Sequence, residues 1–142
     1  MTAALSERAI VSQVAVRGDP QPGFPVEPNM TAEVAGQTVI WLGPDEWLVL
    51  GGGEADFPDA AAAVDVSANR VVLELSGDEA LGVLAGGCSL DLHPSVFEPG
   101  RCAQTLLARA EVILLRRELD RWWILVRPSF APYVRAWLDD SR

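Results

Sequence analysis

The stretch from Leu84 to Leu115, LAGGCSLDLHPSVFEPGRCAQTLLARAEVILL, limits the possible folds more than any other part of the chain. It holds both cysteines, the only histidine of the sequence, two Gly/Pro breaks and the start of the most regular apolar run. Pro94, Pro99 and Gly100 forbid a continuous helix or strand from Cys88 to Arg101. Leu90, Leu92, Val96 and Phe97 nonetheless want burial, so this segment reads as an ordered loop and not as a linker. The residues before it read as preparation, and those after it as a hairpin and a helix that close the fold over it. The stretch contains no recognisable catalytic set.

In chain order, an alternating run within Ser6 to Arg17 (Ile10, Gln13, Val14, Ala15 and Val16) predicts a first strand. A loop of polyproline character comes next, from Gly18 to Asn29, where Pro20, Pro22, Pro25 and Pro28 exclude regular structure. Thr38 to Trp41 and Trp47 to Leu50 are short β-branched and aromatic runs joined by Gly43-Pro44-Asp45-Glu46, the signature of a hairpin. Phe57 to Val64, with Ala60 to Ala63, Asp56 as N-cap and Pro58 in the first turn, predicts a short helix. Val71 to Leu75 alternates as a strand with Glu74 facing outward. Ser76-Gly77-Asp78-Glu79 then fits a capping box ahead of a helix through Leu84, stopped by left-handed glycines at Gly86-Gly87. Gln104 to Leu115 is the longest strand candidate and Arg121 to Val126 its partner across Arg116 to Asp120. Ser129 caps a last helix on which Phe130, Tyr133, Val134, Trp137 and Leu138 recur at helical spacing, with Pro132 in the first turn.

These elements predict an α+β fold: one domain over residues 1–142, a mostly antiparallel sheet with flanking helices, and residues 1–29 as an N-terminal strand and Pro-rich loop. Its 142 residues suit one domain, and 49% hydrophobic against 22% charged residues, with five Trp, supply enough apolar area to offset chain entropy. No apolar run approaches the roughly 20 residues that span a bilayer. Met1 to Val16 lacks the basic and apolar regions of a signal peptide, so a cytoplasmic location and no membrane partner are expected.

Charge is unevenly placed. Residues 1–69 carry two Arg against ten acids, and residues 70–142 nine Arg against ten, for a net charge of −9. Such a chain, with a sequence pI near 4.4, repels a phosphate backbone, so nucleic acid is not an expected partner. The acidic first half favours a partner with a basic surface. All eleven basic residues are Arg; without Lys there is no Schiff base, no Lys general base and no phosphate-binding P-loop.

Cys88, His93 and Cys102 are the soft ligands on offer, but Cys-x4-His-x8-Cys has no close pair and no fourth ligand, which argues against metal and for buried thiols without a disulfide. His93, directly before Pro94, reads as a turn-fixing residue and not as a base for a thiol nucleophile. Gly51-Gly52-Gly53 is followed by Glu54 and is a turn, not a phosphate loop. No hydrolase, zinc-protease, dinucleotide or paired-carboxylate motif occurs, so no catalytic, cofactor or metal residue is assigned. Trp41 and Trp47 flank the acidic turn and are expected to fill the core, with at least one of them on or near a sheet edge; the competing reading is a protein interface.

Five stretches, LGPDEWLVL (Leu42 to Leu50), VDVS (Val64 to Ser67), GGCSLDLHP (Gly86 to Pro94), PGRCAQTLLAR (Pro99 to Arg109) and RPSFAPYVRAWL (Arg127 to Leu138), together resemble the γ subunit of heterotetrameric sarcosine oxidase. The resemblance implies a fold similar to the first part of the folate-dependent aminomethyltransferase domain, shared with the amino-terminal domain of a tRNA-modifying GTPase. It implies a non-catalytic assembly subunit whose α, β and δ partners carry FAD, FMN, NAD and tetrahydrofolate, oxidise sarcosine to glycine and pass on its one-carbon unit. No cofactor is expected in this chain itself. Family members usually have a longer, Ala-rich insertion where this chain runs from Gly18-Asp19-Pro20 to Pro25, which puts one helix of the family fold in question. The alternative is a stand-alone folate-binding, aminomethyltransferase-like protein, which such a short chain disfavours because those domains need a second half to enclose folate.

Overall fold

In the computed structural model, which describes residues 3–9 and 12–142, ten strands form two antiparallel sheets, accompanied by two α-helices. The α+β class predicted from sequence is the class observed. The chain divides into two compact units, one of Met1–Ala9 with Arg70–Arg142, the other of Ile10–Asn69.

In the first unit, β1 (Ala4–Arg8), β7 (Val71–Ser76), β8 (Cys102–Leu107), β9 (Ala110–Glu118) and β10 (Arg121–Val126) form a sheet of order β1-β7-β10-β9-β8. Alternation decides which side is buried under the helices. Leu73 and Leu75 of β7, Val112 and Leu114 of β9, and Trp122, Ile124 and Val126 of β10 share one face. They pack with Ala80, Val83 and Leu84 of α1 (Ala80–Ala85) and Val134 and Leu138 of α2 (Ala131–Ser141). At roughly 1.5–3 kcal/mol for each large apolar side chain, this cluster is the main stabilising term of the unit.

The second unit holds β2 (Gln13–Arg17), β3 (Thr31–Val34), β4 (Gln37–Gly43), β5 (Glu46–Leu50) and β6 (Ala62–Asp65), ordered β3-β4-β5-β2-β6. Val14, Val16, Val39, Trp47 and Val49 form its core with Phe24 and Phe57. The Pro-rich loop is not loose: Phe24 is buried, its ring centre 5.5 Å from that of Trp47, and Trp47 Nε1 donates to the Pro25 carbonyl at 2.8 Å. Nearly all the net charge belongs to this unit, which has one Arg against nine acids.

Several sequence expectations are corrected. The run from Ser6 to Arg17 is two strands in different sheets, and Ile10 lies outside the described residues. Phe57 to Val64 is not a helix. Asp56 accepts the Gly53 N–H at 2.9 Å as the last residue of a single 3-10 turn (Glu54–Asp56), and Ala62–Asp65 pairs with β2, a tertiary contact that outweighs the helix preference of alanine. Gln104 to Leu115 is a hairpin, β8 and β9, turning at Ala108 with φ 53°. Neither β4 nor β5 is an edge strand, so Trp41 and Trp47, which face each other in the register, lie on inner strands. Trp47 is fully buried and Trp41 half-buried.

Both helix starts also differ. α1 has Glu79 as N-cap without a side-chain cap, because Ser76 is still in β7 and Gly77 instead donates to the Asp120 carbonyl at 2.8 Å. α2 has Phe130 as N-cap, again without a side-chain cap, so Ser129 does not play that part. Gly86 is right-handed at φ −68°, and α1 closes through Gly86 and Gly87 N–H bonds to Val83 and Leu84 carbonyls. Gly87 is required for space instead: a Cβ there would stand 2.5 Å from the Trp137 ring.

Candidate functional site

The region singled out in the sequence, Cys88 to Arg101, is an ordered loop, held by backbone turns at one end and by one buried cation at the other. Within it His93 is exposed. Its Nδ1 accepts the Ser95 N–H at 3.1 Å, its carbonyl accepts the Val96 and Phe97 N–H groups, and its own N–H donates to Asp91 Oδ1 at 3.0 Å. That is the turn-fixing geometry expected from sequence. Cys88 and Cys102 are buried free thiols, with Cys88 Sγ 4.0 Å from Thr105 Oγ1. Among the described residues no group of three His, Cys, Asp or Glu side chains could hold a metal ion.

The buried cation is Arg116, only 3% exposed at the end of β9. Its guanidinium donates to the carbonyls of Leu92 (3.1 Å), Phe97 (3.0 Å) and Leu119 (2.6 Å). It also lies over the Trp122 ring, whose centre is 5.3 Å from that of the Phe97 ring, tilted by 43°. Burial pulls its pKa below the ordinary value and Asp120 opposes that, but a guanidinium stays charged under these conditions. Sequence reading missed Arg116 because nothing in a strand pattern tells a buried arginine from an exposed one. Its role is to tie two loop carbonyls and one carbonyl of the β9–β10 turn to a single buried side chain.

On the opposite face of the same sheet Trp123, 5% exposed, lies between two guanidiniums, Arg117 at 4.3 Å and Arg8 at 5.2 Å from the ring centre. Glu74 Oε1 accepts from Trp123 Nε1 at 3.0 Å and from Arg121 at 3.3 Å. Arg121 also bonds Glu118 at 2.9 Å. That contact raises the Arg121 pKa and lowers that of Glu118. The cluster is a closed ion network and makes no acid-base pair poised for proton transfer.

A cavity of about 580 Å³ opens beside the edge strand β8. Arg70 and Arg127 contribute to its wall with Gln104, Thr105 and Ser89, and Glu111 is the one acid among its lining residues. Large exposed apolar side chains are scattered elsewhere, among them Val26 in the Pro-rich loop, Leu119 in the β9–β10 turn and Phe130 before α2. No nucleophile, base and orienting group converge anywhere in this set. No helix of the described residues is long and apolar enough to cross a membrane.

Comparison with known proteins fits this picture. The family described as sarcosine oxidase, gamma subunit family, matches residues 14–142. The sarcosine oxidase subunit gamma of Corynebacterium sp. (strain P-1) is 36% identical over 99% of this chain and 80% of its own length; that of Arthrobacter sp. is 38% identical over 96% and 78%. Among solved structures, a chain of the heterotetrameric sarcosine oxidase from Corynebacterium sp. U-96, in complex with pyrrole 2-carboxylate, superposes with a TM-score of 0.87. It is 33% identical over 98% of this chain and 83% of that one. The glycine cleavage system aminomethyltransferase T from Bartonella henselae shares the fold, with a TM-score of 0.67 at 16% identity, over 96% of this chain but 45% of that one.

Proposed function

The chain belongs to the sarcosine oxidase gamma subunit family, and from that premise we propose that it is the non-catalytic γ subunit of a heterotetrameric sarcosine oxidase. It acts by docking, offering folded surface to α, β and δ partners. Those partners hold FAD, FMN, NAD and tetrahydrofolate, oxidise sarcosine to glycine and transfer its one-carbon unit, while this chain holds no cofactor. The complex works in the cytoplasm and takes no nucleic acid partner. One observation carries the reading: near full-length likeness to a chain of a heterotetrameric sarcosine oxidase, at a TM-score of 0.87.

The test is coexpression with the other subunits, then affinity capture on this chain and an absorbance scan. Copurifying yellow protein is the expected result, and a chain that emerges alone and colourless sinks the reading. The aminomethyltransferase likeness supports a shared fold, but this chain spans under half of that protein. Titration with tetrahydrofolate separates the alternative: saturable binding by the isolated chain would favour a stand-alone folate-binding protein.

A further inference from the structure

We propose that the aromatic side of α2 is a docking face, covered in the complex by an apolar segment of a partner subunit that sets a carboxylate against Arg127; the inference rests on the γ-subunit reading. The helix carries more apolar side chains than its core uses. Val134 and Leu138 are buried in the first unit, whereas Phe130 and Tyr133 stay 47% and 40% exposed and Trp137 half-buried. At about 3.6 residues per turn, Phe130, Tyr133, Trp137 and Asp140 fall within an arc about 80° wide beside the buried face. The other aromatics are placed differently: Phe24, Trp47, Phe57, Phe97, Trp122 and Trp123 are buried, and Trp41 is half-buried. The two exposed rings of the chain therefore stand one turn apart on one helix, next to a third. Aromatic rings offer large apolar area on few rotatable bonds, which is why they concentrate where proteins meet.

Charges mark the two ends of this stripe. Arg127, whose carbonyl accepts the Phe130 and Ala131 N–H groups, precedes it, and Asp140 follows Trp137 by one turn. Both are exposed and neither makes an ion pair among the described residues. Arg135 and Asp139, away from the rings on the same helix, are by contrast already paired, with Glu7 and Arg142. Glu111, which shares a cavity wall with Arg127, makes no ion pair either. A segment that presents an acid, then apolar side chains, then a base matches the stripe from Arg127 to Asp140, and the reversed orientation would oppose like charges at both ends. An amphipathic helix satisfies this order, since its anchors recur at the same spacing as the three rings.

The experiment measures affinity of the full chain for the other subunits by biolayer interferometry, comparing wild type with Phe130→Ala/Tyr133→Ala, Tyr133→Gln, Arg127→Glu and Val26→Ser. The double variant is expected to lose at least about tenfold in affinity with little change in urea midpoint. Tyr133→Gln, which leaves Phe130 in place and guards against misfolding, should lose less but in the same direction. Arg127→Glu should also weaken binding, and Val26→Ser, exposed on the second unit, should bind as wild type does. If wild type assembles and both aromatic variants assemble equally well, the inference falls while the subunit reading stands. If Arg127→Glu tightens binding, the segment is basic at that end and the inference is wrong. The lone wild-type chain should be monomeric by light scattering; a dimer that the double variant abolishes would assign the face to a second copy and overturn the inference. Should wild type fail to assemble with the other subunits, the subunit reading falls and takes the inference with it.

Discussion

The guanidinium carbon of Arg116 lies 4.6 Å from the centre of the Trp122 ring, inside the hydrophobic core of the first unit. The cation is tolerated there because three backbone carbonyls of the loop and turn around it face the guanidinium. Arg116→Met keeps most of the stem and removes those donors. It should cost about 3–5 kcal/mol, read as a fall in urea midpoint, and should speed proteolysis within Asp91 to Arg101. A variant as stable as wild type would mean that the loop is held by its apolar residues alone.

Gly87 and Trp137 form a second tight relationship. A methyl group at Gly87 would overlap the indole and also approach the Ala108 nitrogen at 3.2 Å. Gly87→Ala should therefore destabilise by about 1–3 kcal/mol through overpacking. In a Trp137→Ala background the same change should cost much less, because only the Ala108 contact remains. Equal costs in both backgrounds would assign the glycine to backbone conformation instead.

Glu74→Leu removes the acceptor of Trp123 Nε1 and the partner of Arg121 together. A loss of about 1–3 kcal/mol is expected, with a shift in Trp emission as the ring environment changes. Glu74→Gln still accepts from the indole and should lose less. An unshifted spectrum in Glu74→Leu would show that the ring is fixed by packing alone.

Asp65 carries the pH prediction. Its pKa lies below the ordinary 3.8 because the Ser67 side chain and backbone both donate to it, the backbone N–H at 2.8 Å. A depressed carboxylate favours the native state above its unfolded value, and that contribution fades as pH falls through the lowered value. Wild type should exceed Asp65→Asn in urea midpoint at about pH 5 to 8, and the gap should close as pH falls below the ordinary 3.8. A gap that persists in acid would point to the shape of the turn and not to the charge.

The features legible in the sequence obey local rules. The hairpin of β4 and β5, the strands β7 and β10 and the spacing of α2 are visible because alternation or helical periodicity coincides with Gly or Pro punctuation. Errors arise where that punctuation is absent. β8 and β9 meet at Ala108, an alanine at φ 53°, in a turn without Gly or Asn to mark it. β3 escapes a sequence reading for a different reason, since its turn to β4, Ala35-Gly36, does carry a glycine but the strand is only four residues long. The Ala60 to Ala63 run keeps its helical look because nothing local reveals that Val16 and Arg17 will pair with Ala63 and Ala62. The cavity is out of reach for a related reason: Arg70 and Arg127 are far apart in the chain, and only the pairing of β7 with β10 brings their neighbours Val71 and Val126 into register.

The pairing of β1 with β7 also sets a timetable for synthesis. Leu5 leaves the ribosome about seventy residues ahead of its cross-strand neighbour, Leu75. At roughly 5–20 residues per second β1 waits several seconds unpaired, while β2, β4 and β5 already have one another. Pulsed hydrogen exchange on stalled nascent chains should find amides of the second unit protected before any in β1. β1, made before β2, β4 and β5, is thus secured after them.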